Sequence, residues 1–254
     1  MTAIATALAL SAGRGASSVW VALAIGSGQL TVGWSNDYLD RNRDRRAGRI
    51  DKPIVAGEIT AGVVLRAATI AMVLCVPLSF ASGASAGGVH LSAVVAALAY
   101  NAGLKSTVLS AVPYAYAFGA LPAFVSLGLA GSPAPPVWVV SAGASMGVGA
   151  HFVNTLPDRV GDEQTGVRGL PQRLPATFSL VVGVAFLTAA ALLVAVAPAG
   201  TPGATSVGFA TAALGSSAGV VGAVLAGRHR LAWTLTIAVA ALTVSGFIAS
   251  GSTL

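Results

Sequence analysis

From residue 67 to residue 157 the chain carries a single charged side chain, Lys105, and from residue 174 to residue 227 it carries none. A helix needs roughly 20 apolar residues to cross a bilayer, and runs of this length leave room for several such helices in succession. The wider composition agrees: 55 % of the 254 residues are hydrophobic and 9 % are charged, where about a quarter of a soluble domain carries charge. Membrane β-barrels alternate apolar and polar residues along each strand, and these unbroken runs do not. The chain is therefore read as an all-α integral membrane protein in a lipid bilayer.

Hydropathy and punctuation place helices over about 1–12, 17–38, 59–80, 88–104, 108–130, 135–156, 176–198, 205–226 and 231–250, a bundle of about nine transmembrane helices. The first stretch is about half the length of a span, which fits either a late start of the reading frame or a helix partly outside the hydrocarbon. It lacks the basic opening of a cleavable signal.

Of the 22 charged residues, 12 lie between Asp37 and Arg66 and six between Asp158 and Arg173. Alternate connections hold these two clusters, Lys105 and the Arg228/Arg230 pair, while the connections on the other side hold only Arg14. The positive-inside rule then puts both charged loops on the cytoplasmic side, of the plasma membrane in a bacterium. Topology and anionic headgroups account for the basic pI near 10.3, so no nucleic acid is expected. The lone Cys75 sits in an apolar run and is read as a small buried hydrophobe, with no disulfide or thiolate metal site.

Shifting the sequence by 118 residues aligns 19–53 with 137–171, with 11 of 35 positions identical. Besides apolar matches these include Asn36/Asn154, Asp40/Asp158, Arg41/Arg159, Asp44/Asp162, Gly48/Gly166 and Pro53/Pro171. Apolar bias does not place six such residues in one order and spacing, so the chain is read as a duplicated helical unit. An even number of helices separates the copies, which makes the repeat parallel. One membrane domain, 1–254, is expected, with repeats over about 17–130 and 135–250 and motif loops over about 37–58 and 155–175.

Asn36, Asp40 and Asp44 are spaced to share one helix face, with Asp37 on the same side. Asn154, Asp158 and Asp162 repeat that spacing, with Thr155 in place of Asp37. Five carboxylates and two amide oxygens at one end of the bundle suit Mg²⁺ far better than Zn²⁺. Acids interleaved twice with Arg and Lys are what a Mg²⁺-bridged diphosphate requires, and a site at the end of an apolar bundle expects the rest of that substrate to be a lipid tail. The alternative is a set of solvated loop acids paired with Arg41, Arg43, Arg45 and Arg159.

These residues resemble the UbiA superfamily of intramembrane prenyltransferases. Asn36-Asp37 through Asp40 and Asp44 match the family's NDxxDxxxD motif, and Asp158 through Asp162, with Gly166 and Leu170-Pro171, match its second. The resemblance implies a nine-helix bundle that uses Mg²⁺ to ionise a polyprenyl diphosphate and passes the prenyl group to a hydrophobic, usually aromatic, acceptor. Tyr100 and Lys105 resemble a Tyr-plus-Lys element of the family, although Ser106 stands where a second basic residue is frequent. The second motif departs at Thr155, which implies weaker hold on one metal.

On this reading Asn36, Asp37, Asp40, Asp44, Asn154, Asp158 and Asp162 bind metal, and Arg41, Arg159 and Lys105 contact the diphosphate. Asp40, Asp44, Asp158, Asp162 and Lys105 carry catalysis by stabilising the leaving group. Arg45, Arg49, Lys52, Arg168 and Arg173 either join them or are ordinary flanking charges. Gln29 and His151, each seven residues before a motif residue, either orient the acceptor or bond between helices. Tyr100, Tyr114, Tyr116 and Phe118 either shield a cation or pack, and Trp20 and Trp138 are read as interfacial anchors. The glycines and prolines after each motif are expected to shape loops that order over the bound diphosphate. Two other readings stay open: a terpene cyclase on the same scaffold, and a non-catalytic carrier of isoprenoid or aromatic compounds.

Overall fold

The computed structural model describes residues 1–198, 200–252 and 254, and among them every regular element is helical. In chain order the α-helices are α1 (Thr2–Ser11), α2 (Ser18–Arg46), α3 (Pro53–Ala56), α4 (Ala61–Phe80), α5 (Ala84–Ala102), α6 (Val112–Ser126), α7 (Val137–Asn154), α8 (Arg159–Gln164), α9 (Leu170–Arg173), α10 (Ala176–Val196), α11 (Ala204–Leu225) and α12 (His229–Ala249). Each stretch expected from hydropathy holds one of the longer helices or α1. Four of them, α4, α10, α11 and α12, are long and apolar enough to cross a membrane, and the chain is an integral membrane protein.

The first half packs α2 against α4 and α5, and α5 against α6; the second packs α7 against α10, and α10 and α11 against α12. The halves join along α6 and α7, and α1 closes the bundle by touching α2, α6 and α12. Small residues permit these approaches. A Cβ on Gly149 would stand 2.8 Å from the Gly183 carbonyl oxygen, so α7 and α10 meet backbone to backbone there. Cys75 is fully buried, as expected of a small hydrophobe. Trp20 is exposed, whereas Trp138 packs on Phe247 at 5.8 Å.

Arg14 lies where α1, α4 and α6 all end. Its guanidinium is buried, donates to the Ser82 hydroxyl at 3.0 Å, and fills the space that Gly128 leaves by having no side chain. A cation suits the carbonyl ends of three helices, so this isolated charge closes that end of the bundle.

Helix α2 runs 29 residues, about 43 Å at 1.5 Å per residue, and outreaches a hydrocarbon core of about 30 Å. No Gly or Pro interrupts its charged end, and Arg43, Arg45 and Arg46 in the last turn complement the exposed carbonyls. The helix stops before Gly48, at φ +64°. The first motif is thus carried on a rigid extension.

The second motif differs from the expectation of one helical face. Helix α7 ends at Asn154, residues 155–158 form turns, and Asp162 belongs to the separate short helix α8. Pro157 is the reason: it has no N–H for the Val153 carbonyl and its ring crowds that turn. Beyond each motif the loops follow one plan, a left-handed glycine (Gly48, φ +64°; Gly166, φ +82°) followed by a proline opening a single helical turn (Pro53 in α3, Pro171 in α9).

Candidate active site

The charged end of α2, the α5–α6 connection and the segment after α7 surround a cavity of about 510 Å³. Asn36, Asp40 and Arg43 face it from α2, Arg49 and Lys52 from the loop that follows, and Lys105 from the α5–α6 connection. Asn154, Thr155, Asp158, Asp162 and Gln172 face it from the opposite side, and Tyr100, Tyr114, Ala117 and Phe118 form its apolar depth. One end is charged and the other aromatic.

On the first side, Asp40 is 6 % exposed and holds two cations. Lys105 Nζ lies 2.5 and 2.6 Å from its two carboxylate oxygens, and Arg43 donates to Oδ2 at 2.7 Å. Lys105 also reaches the Asn36 amide oxygen at 3.5 Å. Burial draws the Lys105 ammonium below its ordinary pKa while the Asp40 carboxylate opposes the shift; an ammonium this close to a carboxylate keeps its proton. Asp44, one turn further, is 3 % exposed, and among the described residues no side chain hydrogen-bonds its carboxylate. Burial first, and then the charge of Asp40, push its pKa up, against the pull of Arg43, Lys52 and Arg49.

On the second side, Asp158 is exposed, and Asp162 accepts a 2.8 Å hydrogen bond from the Gln172 amide. Burial and Asp158 raise the Asp162 pKa while the Gln172 bond lowers it. Gln172 is itself held in place. Arg159 donates to the carbonyls of Pro171 (3.1 Å), Gln172 (2.9 Å) and Leu174, and Ser110 Oγ accepts from Leu170 N at 2.9 Å while bonding His151 Nε2 at 3.0 Å. Gly169 lies so close to the α5–α6 connection that a Cβ there would stand 2.6 Å from the Lys105 carbonyl oxygen. The second loop is therefore docked onto the connection that carries Lys105.

The structure brings Asn36, Asp40, Lys105, Tyr100, Asn154, Asp158 and Asp162 to one cavity, as expected. Asp44, Asp37, Arg41, Arg159, Gln29 and His151 do not line it. Asp37 pairs with Lys52 at 2.7 Å outside the cavity wall. Arg41 turns back over the Tyr38 ring, 4.2 Å from its centroid, and donates to the Tyr38 carbonyl. Arg159 is spent on the carbonyls of the second loop. Neither arginine faces the cavity; Arg43, Arg49 and Lys52 do. Asn36, Asp40 and Arg43 follow an i, i+4, i+7 pattern, so the helical face already contained the signal for Arg43.

His151 is 1 % exposed, lies under Tyr114 at 4.6 Å between ring centroids, and does not line the cavity. The helix break at 155–158 separates its face from that of Asp158. Gln29 is exposed and also off the cavity wall; seven residues share a face with Asn36 but stand about 10 Å away along the axis. Gln172 and Ser110 had no sequence signal, because neither belongs to a spaced pattern. Tyr116 is exposed at the surface, bonded to Ser92 at 2.8 Å.

Asp44 and Asp162 are carboxylates whose burial is incompletely compensated by the chain's own cations, and all the donors here are hard oxygens. Among the described residues no three acidic, His or Cys groups converge tightly enough to enclose a metal alone. Asp40 faces the open cavity from one side and Asp158 and Asp162 from the other, which fits Mg²⁺ held by one or two carboxylates, water and substrate phosphates.

A membrane-embedded helical bundle with a two-sided acidic and basic cavity at one end is thereby defined. The chain belongs to the UbiA prenyltransferase family, whose family model matches residues 1–234. No curated protein matches it. Solved structures share the fold. An apo UbiA homologue from Aeropyrum pernix K1 aligns over 97 % of this chain and 95 % of its own, at TM-score 0.79 and 18 % identity. A digeranylgeranylglyceryl phosphate synthase aligns over 98 % and 92 %, at TM-score 0.69 and 16 % identity. A UbiA homologue from Archaeoglobus fulgidus, bound to GPP and Mg²⁺, aligns over 98 % and 88 %, at TM-score 0.63 and 15 % identity.

Proposed function

We propose that this chain transfers a prenyl group from a polyprenyl diphosphate to a hydrophobic acceptor, aromatic or lipid, at a Mg²⁺-dependent site on the cytoplasmic side of the membrane. The observation that carries the reading is the cavity itself: acids from two separate segments face each other across 510 Å³, with Lys105 and Arg43 on one flank and aromatic rings below. Family membership and the GPP- and Mg²⁺-bound relative support it, and the clustering of basic residues at this end supports the orientation.

Asn36 and Asp40 on one side, and Asn154, Asp158 and Asp162 on the other, would hold Mg²⁺, with Asp44 buried a turn beyond Asp40 and adding negative charge behind it. When bound, it supplies Lewis-acid neutralisation of the charge that grows on the departing diphosphate. Lys105, Arg43, Arg49 and Lys52 add fixed positive charge at the same rim, and preorganised charge of this kind stabilises a transition state without further rearrangement. Lys105 and Arg43 are held at the cavity wall by Asp40, and from there both would be within reach of phosphate oxygens. Tyr100 and Tyr114 present rings where the allylic carbon would lie, excluding water and offering π-faces to developing positive charge. His151, without access to the cavity, moves no proton here.

The test is diphosphate release by detergent-purified protein from geranyl, farnesyl and geranylgeranyl diphosphates, with and without Mg²⁺, across a panel of aromatic and lipid acceptors. Release that needs both Mg²⁺ and an acceptor is expected. Release without any acceptor would instead indicate a cyclase, and no release from folded protein across the whole panel would contradict the reading.

A further inference from the structure

Phe118 belongs to two cavities at once. In the polar cavity its ring stacks beside Tyr114, 6.4 Å between centroids. The same side chain lines a second cavity, of about 80 Å³, between α1, α6, α7 and α12. That cavity is walled by apolar side chains such as Leu8, Met146 and Val244, with Thr243 as its one polar residue. Phe118 is the one residue among those described that lines both the charged chamber and the apolar one.

The backbone beneath this ring is fixed. Pro122 has no N–H to give the Phe118 carbonyl four residues before it, and Gly143 of α7 packs into the place left open, where a Cβ would stand 2.6 Å from that oxygen. Gly147, a turn further, would meet Phe118 Cβ at 2.9 Å. Gly143 and Gly147 thus hold α7 tightly against the stretch of α6 that carries the ring.

We infer that Phe118 determines how long a prenyl tail the chain accepts, by closing the polar cavity off from the apolar one. The inference rests on the prenyl diphosphate reading above. With the diphosphate anchored at Arg43 and Lys105, the tail runs down past Tyr100 and Ala117 and meets the ring. Without the ring the two chambers join, and a longer tail continues between α1 and α12.

The test compares kcat/KM for geranyl, farnesyl and geranylgeranyl diphosphates in wild type, Phe118→Ala and Phe118→Leu, with folding checked by gel filtration and thermal melting. Because apolar pockets discriminate by about tenfold or more for a change in tail size, the geranylgeranyl-to-geranyl ratio should rise at least about tenfold in Phe118→Ala and less in Phe118→Leu. Adding Val244→Trp, which fills only the second chamber, should return the ratio of Phe118→Ala toward wild type and leave the wild-type ratio unchanged. A ratio that stays within about twofold in folded Phe118→Ala and Phe118→Leu would overturn the inference while the prenyl transfer reading stands. Absence of turnover of any donor by wild type would overturn both.

Discussion

The two acidic motifs share their spacing and little else. The first is carried on one uninterrupted helix, with Asp40 buried and clamped between Lys105 and Arg43. The second is split by Pro157 into a helix end, a turn and the short helix α8, with Asp158 in solvent and Asp162 steadied by the neutral amide of Gln172. One side is thus electrostatically loaded before ligand arrives; the other is a shaped set of acids with little cation of its own. The same residue types at the same intervals make a charged clamp in one segment and a cation acceptor in the other, because the backbone beneath them differs.

The sharpest way to break this contrast is Asp40→Asn. It removes a ligand and strands a buried ammonium, so diphosphate release should fall by about 10²-fold or more and stability by about 3 kcal/mol. Thermal melting and activity of Asp40→Asn, with Asp40→Asn/Lys105→Met beside it, check this: the double variant should regain stability without regaining activity. Asp158→Asn should lose a comparable share of activity but melt like wild type, since its carboxylate is exposed and has no partner among the described residues. Equal destabilisation of the two variants would remove the distinction.

Smaller effects test the second side further. Gln172→Leu leaves Asp162 without its amide donor, and outer-shell partners of metal ligands are worth about 10–100-fold in affinity. The Mg²⁺ concentration for half-maximal release should therefore rise by about tenfold, while the rate at saturating Mg²⁺ changes little. Smallest of all is the arginine comparison. Arg43→Ala should weaken donor binding by about tenfold, as loss of a charge-assisted contact does, and Arg41→Ala should change KM by less than about twofold, its guanidinium being held on Tyr38 off the cavity wall. Reversed ranking would put the diphosphate on the other face of α2.

The helical architecture was legible because charge is so scarce: the gaps between clusters mark the helices. Their ends were not. Helix α2 continues to Arg46, eight residues past the expected end at 38, since charged residues late in a helix extend it rather than stop it. The α6 segment starts at Val112 instead of 108, because the connection after Lys105 still turns. Spacing identified Asn36 and Asp40 correctly as facing the site. It also pointed to Arg41 and Arg159, which local carbonyls hold off the cavity wall, and their sequence neighbours gave no hint of those contacts. Heptad offsets suggested Gln29 and His151, yet periodicity reports direction around an axis and says nothing of depth along it or of a break at Pro157. Gln172 and Ser110 act through contacts 10 and 60 residues away in sequence, and no local pattern encodes such partners.

On the proposed mechanism both motifs would grip one diphosphate through Mg²⁺. Binding of a non-cleavable prenyl diphosphate analogue, measured calorimetrically with and without Mg²⁺ in wild type, Asp40→Asn and Asp158→Asn, tests it most directly. Tight binding that needs Mg²⁺ and is lost in either variant is expected. Mg²⁺-independent binding, or binding that survives loss of one motif unchanged, would contradict it.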